Sequence, residues 1–126
     1  MAVLLDTHAF LWWCDDSPQL SKRARKTISV EDCLLSLASI WEIAIKISLG
    51  RLKLPSGFDR YIPEQVSVNG FSLLEIGFRH LAGCTVLPWH HRDPFDRLLI
   101  AQATEEDLRI VSRDKMFDRY GVRRVW

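Results

Sequence analysis

The sequence is poor in cysteine. Its 126 residues hold only Cys14, Cys33 and Cys84, widely spaced and without a CxxC pair. An odd, scattered set excludes a disulfide framework and a thiolate zinc site, and reads as reduced thiols in a cytoplasmic protein. Charge of one sign is lacking too: 17 Lys and Arg against 16 Asp and Glu leave a net charge of +1. That excludes a histone-like binder, so any nucleic-acid surface has to be a local basic patch. No apolar run approaches the roughly 20 residues needed to cross a bilayer. The first residues carry no cationic leader and soon meet Asp6, which argues against a signal peptide. Internal repeats and low-complexity segments are absent as well. What is present is an ordinary globular balance, 48% apolar and 26% charged, at a length that suits one domain over residues 1–126.

Short apolar runs alternate with helical patterns. Val3, Leu4 and Leu5, closed by Asp6, read as a buried parallel strand. Residues 9–13 form a short apolar helix broken at Ser17-Pro18. Ser21 is placed to cap a cationic helix over 22–28, and 33–36 is a second strand. Ser39-x-x-Glu42 has the form of a capping box. Ile40, Ile43, Ala44 and Ile47 follow at helical spacing, with Gly50 as a C-terminal stop. A helix over 58–66 has to accommodate Pro63. Residues 71–76 form a third strand and 78–82 a short helix ending at Gly83. Asp93-Pro94 is a strong helix start, and the helix to Glu106 is apolar around most of its girth, which buries it in the middle of the fold. A fourth strand over 109–112, a last helical turn over 115–120 and an edge strand within 122–126 complete the chain. Such alternation predicts an α/β sandwich with a mostly parallel sheet flanked by helices.

The acids fall at telling places in this pattern. Asp6 and Asp114 follow strands, while Glu42 and Asp96 are each expected at the third position of a helix. In an open parallel sheet the carboxyl ends of strands and the amino ends of the next helices share the rim where ligands bind. Four carboxylates there repel by roughly a few kcal/mol per close pair unless a cation offsets them. Oxygen ligands without a thiol favour a hard ion, Mg²⁺ or Mn²⁺. Each acid also has a plainer reading. Glu42 completes the capping box and has Lys46 four residues on; Asp96 complements a helix dipole; Asp114 caps the last helix. Asp93 reads as a cap rather than a ligand.

The ordered segments Leu4-Leu5-Asp6-Thr7-His8-Ala9-Phe10-Leu11-Trp12, Ser36-Leu37-Ala38-Ser39-Ile40-Trp41-Glu42, Asp93-Pro94-Phe95-Asp96-Arg97-Leu98-Leu99 and Ser112-Arg113-Asp114 resemble the PIN domain. More narrowly, they resemble the VapC toxins of type II toxin–antitoxin systems. The resemblance spans essentially the whole chain. It implies a metal-dependent endoribonuclease leaving 5′-phosphate and 3′-hydroxyl ends. The family's acidic positions fall on Asp6, Glu42, Asp96 and Asp114, which would hold Mg²⁺ or Mn²⁺, and its hydroxyls fall on Thr7 and Ser112. It also implies an RNA substrate, a VapB-like antitoxin partner and homodimerisation.

Arg97, beside Asp96, and Arg113, beside Asp114, are placed either to meet substrate phosphates or to pair with a neighbouring acid. Lys46 is expected to pair with Glu42, and the run 22–26 to be a solvated helix face. His90 and His91 read as loop histidines that the metal set does not need. Trp12 and Trp13 cannot both point inward from one short helix. One of them, with Phe10 or Leu11, either lines an apolar groove for the antitoxin or remains a singly exposed indole. Two other classes compete. A non-catalytic PIN-like RNA- or partner-binding module predicts missing acids, and none is missing. A phospho-acceptor receiver domain needs an acceptor Asp after a middle strand, where Ser36 and Ile76 stand.

Overall fold

The computed structural model describes residues 2–126; Met1 lies outside them. The chain runs β1 (Ala2–Leu5), α1 (Thr7–Cys14), α2 (Lys22–Val30), β2 (Asp32–Ser36), α3 (Leu37–Ser48), α4 (Phe58–Val68) and β3 (Ser72–Leu74). It continues through α5 (Phe78–Cys84), α6 (Pro94–Glu106), β4 (Arg109–Val111), a 3-10 helix (Lys115–Tyr120) and β5 (Arg124–Val125). The strands form one sheet in the order β3-β2-β1-β4-β5, and every pairing is parallel. This is the expected α/β architecture with helices on both faces.

The pleat explains the two layers. Val3 and Leu5 point to one face, where they pack with Phe10 of α1, Ala24 and Ile28 of α2, Ile43 of α3 and Ile62 of α4. Leu4 points to the other and packs with Leu98, Leu99 and Ile100 of α6 and with Phe117. All three β1 side chains are completely buried. A strand covered on both faces has no polar side, which is why its sequence is a continuous apolar run. Helix α6 is buried from Arg97 through Ala103, in keeping with its apolar girth.

Strand order places the functional edge. The chain moves outward from β1 to β2 and β3, then returns to lay β4 and β5 on the other side of β1. The strand order therefore reverses between β1 and β4, and the crevice beyond their carboxyl ends is the ligand position of such folds. Asp6 follows β1 and Asp114 lies just beyond β4.

Some local expectations need correction. Helix α3 starts at Leu37, not after Ser39, and its N-cap is Ser36, whose hydroxyl accepts from the Ala38 N–H at 3.0 Å. No Ser39–Glu42 capping box forms. Ser39 is a fully buried interior residue whose hydroxyl has no partner, and Glu42 is the sixth helical residue rather than the third. The last residue of the strand expected over 33–36 is itself the cap, so the helix begins without a connecting loop. Helix α4 runs through Pro63 to Val68. The carbonyl that Pro63 leaves without its i−4 donor belongs to Asp59, which is exposed to water. Helix α1 starts at Thr7, two residues earlier than the apolar pattern suggested, because Asp6 caps it: one carboxylate oxygen accepts from the Ala9 N–H at 2.7 Å.

Candidate active site

At the carboxyl edge of the sheet, Asp6, Glu42, Asp96 and Asp114 line one cavity of about 190 Å³, together with Thr7, Lys46, Asp93 and Phe117. Each acid is fixed by its own local structure. Asp6 is buried and caps α1, with the Ser112 side chain close enough to act on its carboxylate. Burial raises its pKa above the usual carboxylate value, and Ser112 and the Ala9 N–H oppose that rise. Glu42 accepts from the Thr7 hydroxyl at 2.7 Å and is 3.1 Å from the Lys46 ammonium, the i,i+4 pair expected from the sequence. Asp96 is held at the amino end of α6, where Asp93 accepts from its N–H at 3.0 Å. Asp114 caps the 3-10 helix through the Met116 N–H at 2.9 Å, and its own N–H donates to the Ser112 hydroxyl at 3.0 Å. Buried Ser112 thus holds Asp114 and acts on the Asp6 carboxylate beside it.

Asp96 carries the electrostatic signature of the site. Its pKa is pushed up to about 8, first by burial and then by the charges of Asp93, Asp6, Glu42 and Asp114. Lys46 is the one Lys or Arg lining the cavity among the described residues. A hard cation would relieve this repulsion, and the donors facing the cavity are the oxygens such a cation prefers. Among the described residues, however, no three His, Cys, Asp or Glu side chains are drawn close enough to hold an ion as they stand. The residues fit a divalent ion in donor type but not in spacing as they stand, and unshielded repulsion is a physical reason for them to stand apart.

Sequence reasoning missed His91. Its Nε2 lies 3.3 Å from Asp96 Oδ2 and its Nδ1 2.8 Å from the Tyr120 hydroxyl, so the loop before α6 buttresses the third acid. A loop position carries no periodicity, and the one available signal was proximity in sequence to Asp96.

The two arginines part company. Arg97 neither pairs with an acid nor offers itself to a phosphate. It is buried, its guanidinium donates to the carbonyls of Pro88 at 2.7 Å and Leu87 at 3.3 Å and to the Tyr120 hydroxyl at 3.2 Å, and Trp89 covers it. One residue along a helix turns the side chain by about 100°, so Asp96 faces the cavity and Arg97 the protein. Arg113 is exposed at the site, over the Trp12 ring at 5.0 Å and bonded to Gln19 at 3.2 Å.

The PIN domain family model matches residues 3–123. The chain belongs to the PIN domain family. The matched span contains all four acids on the rim of this PIN domain. No curated protein matches the sequence significantly. Solved structures match the PIN fold over nearly its full length. The VapBC2 complex of Rickettsia felis bound to a DNA fragment from its promoter is 12% identical, with a TM-score of 0.70, 98% of this chain covered and 97% of that one. FitAcB from Neisseria gonorrhoeae is 19% identical, with a TM-score of 0.68 and 98% and 96% covered. DNA-bound VapBC from Salmonella typhimurium is 15% identical, with a TM-score of 0.67 and the same coverage.

Proposed function

We propose that this PIN domain is a Mg²⁺- or Mn²⁺-dependent endoribonuclease toxin of the VapC type, restrained by a VapB-like antitoxin. The observation that carries the reading is the meeting of four acids, from four separate segments, in one cavity at the point where strand order reverses.

Asp6, Glu42, Asp96 and Asp114 are the residues that would hold the ion. When bound, it supplies Lewis acidity, activating water near neutral pH and offsetting charge on the phosphodiester. The protein's part is positioning. Ser112 and the Ala9 N–H fix Asp6, Thr7 fixes Glu42, and His91 and Asp93 fix the position of Asp96. Thr7 and Ser112 act through these carboxylates, so their place is beneath the acids rather than against the substrate. Arg113 is the exposed cation beside them that a nucleic-acid strand meets.

The antitoxin reading draws on the structural relatives, which are toxin–antitoxin complexes. It also draws on an apolar groove of about 370 Å³ between α3, α4 and β3, lined by Ile40, Phe58, Ile62, Pro63, Val66 and Leu73. A groove of that character suits the apolar face of an amphipathic helix. It is not the groove expected around α1: Phe10 is fully buried, and Trp13 packs on the core with its indole N–H donating to Asn69 at 3.0 Å.

The test is cleavage of single-stranded RNA by purified protein with Mg²⁺ or Mn²⁺. Activity is expected to vanish in excess EDTA and in Asp96→Asn, with the variant still folded. Cleavage that persists in EDTA, or in Asp96→Asn at the wild-type rate, sinks the proposal.

A further inference from the structure

Beside the acid cavity lies a second one of about 380 Å³, lined by Asp6, His8, Trp12, Arg113 and Asp114. Asp6, His8 and Asp114 border both, so the two cavities adjoin. We propose that this second cavity is a stacking subsite for one unpaired nucleobase of the RNA strand, next to the phosphate held at the acids. The proposal rests on the nuclease reading and adds to it where a base is gripped.

The cavity is built from flat groups. His8 and Trp12, four residues apart on α1, stack with centroids 5.4 Å apart and planes 26° from parallel. The Arg113 guanidinium lies over the same indole at 5.0 Å. Planar aromatic and guanidinium groups are the surfaces on which unstacked bases lie. The assembly is braced from behind. Trp126 packs against Trp12 at 5.8 Å, and Gln19 accepts from Arg113 at 3.2 Å. His8 and Arg113 are exposed while Trp12 is half-buried, so a floor is fixed and its mouth is open. The volume lies in the range of small-molecule sites.

Electrostatics gives the subsite its purpose. The adjoining cavity gathers Asp6, Glu42, Asp93, Asp96 and Asp114, a surface that repels a phosphate chain. With a net charge of only +1, the protein has little long-range attraction to offset that repulsion. A neutral base stacked on Trp12 and Arg113 binds without meeting it. A base inside a duplex is already stacked on its neighbours through both faces, so the subsite also selects single strands.

The experiment measures binding of a short fluorescein-labelled single-stranded RNA by anisotropy, with Ca²⁺ replacing Mg²⁺ so that strands are bound rather than cut. A matched series carries one abasic ribose at successive positions. Wild-type protein is expected to lose about tenfold in affinity at one abasic position, the size of one stacked base. Trp12→Leu and Arg113→Ala are each expected to weaken intact RNA by about as much and to respond no further to that abasic position. Arg113→Ala leaves the Trp12–Trp126 packing in place and carries the test if Trp12→Leu does not fold. A flat abasic series, losses that add, or no binding to any strand overturns the subsite. Base-dependent binding without cleavage in Mg²⁺ or Mn²⁺ overturns the nuclease reading alone; cleavage with a flat series overturns the subsite alone.

Discussion

The Thr7 hydroxyl donates to Oε1 of Glu42 across 2.7 Å, joining residues 35 positions apart. Thr7 is the first residue of α1, directly after Asp6, while Glu42 lies about one and a half turns into α3. One hydrogen bond thereby sets the spacing between the helices that carry the first two acids. Thr7→Val keeps the shape and removes the donor. Loss of a buried bond to a charged group predicts a stability loss of about 1.5–3 kcal/mol in urea unfolding. RNA cleavage is expected to fall as well, because Glu42 then answers only to Lys46.

Asp96 costs the folded state stability as pH rises. Its folded pKa, about 8, lies above its ordinary value of 3.8, so between those pH values the folded state holds a proton that the unfolded state has lost. Stability of the metal-free protein should therefore be highest near pH 4 as far as this group is concerned, fall as pH rises, and level off above about pH 8. Asp96→Asn removes the titrating charge. Its Tm is expected to exceed that of the wild type at pH 8 and to match it near pH 4. Calorimetry across that range checks both the sign and the window.

Mn²⁺ added at pH 8 should raise the Tm of the wild type, since an ion that binds only the folded state stabilises it by mass action. The same addition is expected to leave Asp96→Asn nearly unchanged. An equal rise in both proteins places the ion elsewhere.

Arg97 is structural. Arg97→Ala strips donors from two carbonyls and a tyrosine hydroxyl and uncovers Trp89. A loss of about 2–4 kcal/mol is expected in chemical denaturation. Arg97→Lys recovers little of it, because an ammonium cannot reproduce the planar fork.

His91→Ala frees one side of Asp96 and one side of Tyr120. The maximal cleavage rate at saturating metal is expected to drop about tenfold, as befits a group that orients a metal ligand. A rate equal to the wild type assigns His91 to the loop alone.

The layers and the acidic edge follow from the order of residues along the chain. An apolar run at Val3, Leu4 and Leu5 has to be covered on both faces, and the alternation of such runs with amphipathic segments leads to a parallel sheet between helices. Asp6, Asp96 and Asp114 were legible because each punctuates the boundary of an element, and boundaries in a parallel fold gather at one edge; Glu42 reaches that edge from inside α3. The helix start at Asp93 was legible from its Asp-Pro signal; that of α3 was not, because β2 runs straight into the cap Ser36. Three-dimensional packing alone turns Arg97 inward, brings His91 to Asp96, sets Ser112 under Asp114 and lays Arg113 over Trp12. Those relationships join residues by loop conformation and by packing across the sheet, and neither leaves a periodic trace in the chain.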